Sequence, residues 1–364
     1  MLDINILPPL WKDKCFFHPA VSPWIDGTLM MTMQIIRGSD FFGPIEWCFS
    51  KDNGNTWSIQ ENILPLKSRQ LEDGLWEGIA DVRPFLHRPT QKIIAIGCNT
   101  YYSDQTVLHN DKAQYPVYAT LSPDGSWSKK HILRGKCFER YSNYRVACTQ
   151  LIVMPDGDVL IPLYLQENGA ANRFSVCSIL CSFDGELLKV KSLGNILSFP
   201  VNRGFIEPSL AFFDDKFYMT IRAEDDHAYY AVSEDGVNWN EARPWCWDSG
   251  EKLKTSSTQQ HWLKLNGALY LLYTRKSTEN KDVVRWRAPM FISRFDHQNG
   301  TLLRDTEQIV FPLVYHNGLP NLLGNFHVSE LPDGNALVTV GSWWKSKPHH
   351  TEVWSAQIKV FKAD

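Results

Sequence analysis

The chain has 364 residues, 43% of them hydrophobic and 21% charged, which supports a buried core and excludes a disordered polymer. Its 37 Lys and Arg against 40 Asp and Glu leave a formal charge of −3, and no basic run offers a face for nucleic acid. No stretch approaches the roughly 20 apolar residues that span a bilayer, so neither nucleic acid nor a membrane is an expected partner. The opening MLDINILPPLWKDK lacks the basic-then-apolar order of a secretory signal. A cytoplasmic location is expected if Met1 is the native start, and a secreted or periplasmic one if a leader has been removed.

In chain order, the sequence runs through short β-branched and aromatic stretches broken by tight-turn dipeptides, with almost no amphipathic helical pattern. The turns are Asp26-Gly27, Asn53-Gly54, Asp124-Gly125, Asp156-Gly157, Asp184-Gly185, Asp235-Gly236, Asn266-Gly267, Asn299-Gly300 and Asp333-Gly334. Asp-Gly and Asn-Gly between hydrophobic runs predict consecutive antiparallel hairpins. Cys48, Cys98, Cys148, Cys177 and Cys181 sit in apolar runs and read as buried thiols. Cys177 and Cys181 have no second pair at zinc-finger spacing, and no loop has calcium-binding spacing, so no metal or cofactor is expected.

A repeat organises these hairpins. Its best copy is Ser50-Lys-Asp52-Asn-Gly54-Asn-Thr-Trp57, and the second is Ser233-Glu-Asp235-Gly236-Val-Asn-Trp239. Shorter copies stand at Ser122-Pro-Asp124-Gly125-Ser-Trp127 and Ser182-Phe-Asp184-Gly185, with a related turn at Phe295-Asp296-His-Gln-Asn299-Gly300. Successive copies are 51 to 72 residues apart, and a last unit runs from Phe326-His327-Val328 to Val360. Six units of that size, none able to bury both faces alone, predict an all-β, six-bladed β-propeller occupying 1–364 as one domain. The segment Ile4–Leu7 is expected to close the ring beside Val353–Phe361. A pair of β-sandwich domains is the alternative.

The Ser50–Trp57 turn resembles the Asp-box (BNR repeat) of sialidases and related propellers, and the chain resembles a divergent member of that superfamily along nearly its whole length. In an Asp-box the Ser and Asp side chains bond the turn's own backbone and the Trp packs beneath it. It identifies a fold, not an activity. The fold implies that inner-strand starts converge on one mouth of a central channel. Read that way, the mouth collects His18, Arg37 and Asp40; Asp81 and Arg83, with Tyr101 and Tyr102; Gln150; Glu207, Arg222 and Glu224; Gln260, His261, Arg275, Arg285 and Arg287; and Asn325 and His327. So many ionisable groups are costly in a closed core.

Several positions look like the sialidase set. Asp40 stands where the acid/base Asp is expected, and Glu207 and Arg222 match the Glu and Arg of one inner hairpin. Arg285 or Arg287 matches a third-Arg position, with Arg275 a weaker candidate. The chain departs from the family where His18-Pro19 replaces Arg-Ile-Pro, and where Asn325, with His327 two residues on, occupies the place of the nucleophilic Tyr. Tyr315 lies upstream. The resemblance implies a carbohydrate partner and a glycoside hydrolase of exo-acting, sialidase-like type, with Asp40, Glu207, His18 and His327 as catalytic candidates and the other mouth residues binding substrate. Two alternatives stay open. A polysaccharide lyase would use His18, His261 or His327 with Tyr and Arg on a uronic acid, since histidine moves protons near neutral pH. A non-catalytic carbohydrate-binding propeller would stack sugars on Trp286, Trp343 and Trp344.

Overall fold

In the computed structural model, each repeat forms one antiparallel sheet. Six such sheets follow one another along the chain among the described residues, which are 1–11, 14–37, 41–103, 107–109, 112–170, 172–255, 258–347 and 351–360. Their innermost strands are Phe16–Pro23, Trp76–His87, Tyr141–Arg145 continued by Ile152–Val153, Ile206–Phe213, His261–Leu265 and Leu319–Glu330. We number the blades one to six in that order. The helical elements among the described residues are 3-10 turns of three residues.

The blades exist because their central strands are apolar on both faces. In blade two, Ile93, Ile94, Ala95 and Ile96 are all fully buried, a run that a sheet facing water on one side does not have. Each face packs on the next blade, so the hydrophobic clusters lie at the seams. Met30, Ile45 and Trp47 of blade one meet Ile79, Ile93 and Val117 of blade two. Leu160, Tyr164 and Val176 of blade three meet Ile206, Met219 and Ile221 of blade four. Phe16, Met31 and Cys48 of blade one meet Leu331, Leu337 and Val353 of blade six, which completes the ring. Each fully buried Leu, Ile, Val or Phe contributes about 1.5–3 kcal/mol. The N-terminal strand Leu2–Ile6 closes blade six against Thr351–Val360, with Ile4 opposite Ile358, one or two residues from the segments expected from the sequence.

The repeated turns lock these seams. In the first, Ser50 Oγ donates to Asp52 Oδ1 (2.8 Å) and accepts from the Gly54 N–H (2.9 Å), while Trp57 Nε1 donates to the Gly54 carbonyl (3.1 Å). The turn at Ser233 repeats this through Asp235 and Gly236, but Trp239 donates instead to Ser178 Oγ of blade three (2.8 Å). Both glycines have positive φ, and a Cβ on Gly236 would stand 2.6 Å from Leu160 of the neighbouring blade. Only glycine serves that approach.

Candidate functional site

The inner strands carry a common irregularity near the mouth of the channel. Register breaks fall at Phe17/Ala20, Ala80/Arg83, Ile206/Ser209 and Leu323/Phe326. Four residues of consecutive blades take left-handed backbone there: His18 (φ 51°), Asp81 (φ 54°), Cys148 (φ 51°) and Glu207 (φ 49°). Such a conformation costs a non-glycine residue about 1–2 kcal/mol, and it clusters where function holds the backbone in place. The bulges also free carbonyls, which threonines of the preceding blade cap. Thr339 bonds the Pro19 carbonyl (2.6 Å), and Thr32 bonds that of Val82 (2.8 Å).

The side chains so directed form one connected network. Asp81, buried, lies between His18 Nδ1 (3.2 Å) and Arg83 Nη2 (3.0 Å), and its other oxygen accepts the Cys148 backbone N–H. Burial alone would raise the Asp81 pKa, but Arg83 and then His18 overcome it and hold the carboxyl well below the usual carboxylate range. Burial, then Asp81 and Glu207, push the Cys148 thiol up, so it is a neutral group rather than a thiolate. Its Sγ accepts from Asn325 Nδ2 (2.9 Å), and Asn325 Oδ1 accepts from Arg287 Nη1 (3.4 Å).

Blade four supplies the other half. Arg222 Nη1 donates to both oxygens of Glu207, at 2.7 and 2.8 Å. Arg222 is almost fully buried, while the Glu207 carboxylate keeps 15% exposure toward the mouth. Glu224 is held by Arg203 through Nε (3.0 Å) and Nη2, and these bonds lower its pKa. Arg287 has its Nε sealed from solvent without a partner. Burial, followed by repulsion from Arg222 and Arg285, pushes it down to about 10. A cavity of about 200 Å³ opens beside this group, lined by Arg222, Glu224, Asp226, Lys276, Arg285 and Trp286, with the Lys276 ammonium 4.0 Å from the Trp286 ring centroid.

The structure thus brings His18, Asp81, Arg83, Glu207, Arg222, Glu224, Arg285, Arg287 and Asn325 to one end of the channel. Asp40 and the Arg37 side chain lie outside the described residues. Five of the expected site residues stand elsewhere. Gln150 clamps the Trp262 backbone, donating to its carbonyl (2.8 Å) and accepting its N–H (2.7 Å). Gln260 accepts from Trp245 Nε1 (2.9 Å) in the aromatic seam of blades four and five. Arg275 is paired twice with Glu307, at 2.8 and 2.7 Å. His261 bonds Ser209 (2.9 Å) and is buried. His327 lies deeper still, lining a cavity of about 280 Å³ at the opposite end of the channel. Burial holds both histidines neutral, His261 at about 3. Tyr315 sits in an outer hairpin opposite Pro320 and is 56% exposed. Sequence reading did not single out Arg203 or assign Cys148 to the site. Arg203 stands four residues before Glu207, and Cys148-Thr149 occupies in blade three the place that His18-Pro19 and Glu207-Pro208 hold in theirs. That alignment is the signal that could have found it. Among the described residues, no group of three His, Cys, Asp or Glu side chains could hold a metal ion.

No protein-family model and no curated protein matches the chain. Solved structures do. A Dyadobacter fermentans protein of unknown function aligns over 99% of both chains, with a TM-score of 0.68 and 14% identity. The Trypanosoma rangeli sialidase aligns over 97% of this chain and 57% of its own (TM-score 0.65, 13% identity). The NanB sialidase of Streptococcus pneumoniae aligns over 96% and 69% (TM-score 0.68, 11% identity). The chain therefore spans little more than half the length of the trypanosomal sialidase. Its fold is that of a divergent, sialidase-like six-bladed propeller.

Proposed function

We propose that the chain is a glycoside hydrolase that takes an anionic sugar at the mouth of the propeller. The observation that carries this reading is a surplus of cations. Glu207 is matched by Arg222, Glu224 by Arg203 and Asp226 by Lys276, which leaves Arg285 and Arg287 without a carboxylate partner among the described residues. A crowded, partly buried guanidinium is stabilised by a bound anion, and arginine binds planar oxyanions at two points. The solved neighbours support the fold, and the trypanosomal sialidase among them has been solved with sialic acid bound.

 Hydrolysis needs a proton donor on the leaving oxygen and a base or nucleophile across the ring. Glu207, paired with Arg222 and open to the mouth, suits the second role. His18, oriented by Asp81, suits the first, and Asp40 is the donor that the sialidase resemblance implies. The turns at Ser50 and Ser233 serve as Asp-boxes in this reading.

A second reading rests on the His18–Asp81 contact itself. A carboxylate-oriented imidazole is also the base of an elimination, so a lyase acting on a uronic acid uses the same mouth. Digestion of a panel of sialylated, uronic-acid and sulfated glycans in heavy-oxygen water separates the two. Hydrolysis places the heavy oxygen in a cleavage product. An unsaturated sugar without heavy oxygen transfers the assignment to a lyase, and saturable binding without cleavage transfers it to a carbohydrate-binding propeller.

A further inference from the structure

Beneath Asp81, buried polar atoms of neighbouring blades lie without partners. Arg83 is fully buried. Its Nη2 meets Asp81 Oδ1 at 3.0 Å as an ion pair, at an angle that makes no hydrogen bond, and Nη1 donates a long bond to the Phe326 carbonyl (3.4 Å). Arg83 Nε has no acceptor, and His327 Nε2, also buried, has no partner. The two groups are neighbours. The carbonyl that Arg83 reaches belongs to the residue before His327, and Phe85, on the same face of its strand as Arg83, meets the His327 ring at 6.3 Å between centroids.

The hydrogen-bond directions are determined. Ser329 Oγ gives its single proton to the Val21 carbonyl, so it accepts at its 3.3 Å contact with His327 Nδ1. His327 therefore carries its proton on Nδ1. The ring is neutral, because burial and then the Arg83 charge oppose its protonation. Nε2 is left with a lone pair, and the neighbouring guanidinium still has N–H groups to donate. A water molecule satisfies both, accepting from Arg83 and donating to His327. An anion would be repelled by the lone pair. Buried polar atoms left unpaired by protein are commonly satisfied in this way, and the cavity that His327 lines at the far end of the channel gives water a route in.

We propose that a buried water is bound between Arg83 and His327, and that through it His327 is a positioning residue for the Asp81–His18 pair. Water fixes the guanidinium, the guanidinium fixes Asp81, and Asp81 fixes His18. Only the effect on turnover rests on the hydrolase reading.

Three measurements on the full chain test this. A high-resolution crystal structure shows water density at the site, and a bromide soak gives no anomalous peak there. Nitrogen-15 spectra of the histidine rings show His327 protonated on Nδ1. In His327→Phe, which keeps a ring but removes the acceptor, the His18 ring resonances shift and kcat falls at least tenfold with KM unchanged. His327→Gln restores an acceptor and returns both toward wild type. A dry site, a bromide peak or a proton on Nε2 overturns the bound water. Unmoved His18 resonances in His327→Phe, or equal changes in both variants, overturn the positioning role. The spectra and the density need no substrate, so a chain that cleaves no glycan defeats the hydrolase reading alone.

Discussion

The two halves of the mouth are built from the same irregular strands but balance charge in opposite ways. On the side of blades one to three, Asp81 is enclosed by His18, Arg83 and the Cys148 N–H, and little of that group reaches solvent. On the side of blades four to six, Glu207 is matched by Arg222, and Arg285 and Arg287 remain over. In the first half every carboxylate oxygen is matched by protein groups, whereas on the hydrolase reading the second is stabilised by an anionic ligand. On the proposed reading, such a site is preorganised on one side and selects an anion on the other.

The strongest way to break this comparison is Glu207→Gln. It keeps the shape but neutralises the carboxylate that the hydrolase reading makes the base, and on that reading we expect kcat to fall by about 10²–10⁴-fold, with the fold retained at a lower melting temperature because the buried Arg222 loses its charged partner. Full activity would remove Glu207 from the chemistry.

Asp81→Asn attacks the first half. It leaves Arg83 buried against a neutral amide, and breaking a buried pair in this way costs about 3–5 kcal/mol, read as a lower denaturation midpoint. The pH dependence has a defined sign. The folded pKa of Asp81 lies well below its unfolded value, so its stabilisation is present above about pH 3.9 and is lost as the pH falls below that toward the folded pKa. The variant should therefore show a flatter acid limb in its stability profile. An unchanged limb would mean that Asp81 is not the carboxylate that Arg83 requires.

Arg287→Met tests the other half with a smaller effect and an unusual pairing of outcomes. A lost charge-assisted bond to the ligand is worth about 1.5–3 kcal/mol, so KM for an anionic substrate should rise roughly tenfold to a hundredfold. The ligand-free protein should be no less stable, because a crowded cation has been removed. A loss of stability without a change in KM would make Arg287 a strut.

The smallest effect is expected at the rim. Ser50→Ala removes the hydroxyl that caps the turn and should cost about 0.5–1.5 kcal/mol, with turnover unchanged. A change in activity would link the turn to the mouth.

Much of the fold was legible because the turn chemistry is local. Ser50, Asp52, Gly54 and Trp57 bond within a few residues of one another, so their spacing carries the structure. The site was legible only in part. Glu207 and Arg222 are linked by a single hairpin, and their sequence spacing foretells their contact. Cys148 looked like any buried thiol, because its place beside Asp81 and Asn325 depends on contacts 67 and 177 residues away in sequence. Gln150 and Arg275 looked like mouth residues, yet their side chains are engaged by Trp262 and Glu307.

By itself, then, the sequence determined an all-β ring of hairpins, since turn dipeptides and apolar runs act over a few residues. The tertiary structure alone decided which polar groups meet between blades. Left-handed residues in four blades turn His18, Asp81, Cys148 and Glu207 toward the mouth, where His18 meets Asp81 and Cys148 meets Asn325 across blades. Charge pairing across a ring depends on how the blades are seated against one another, which no local pattern encodes.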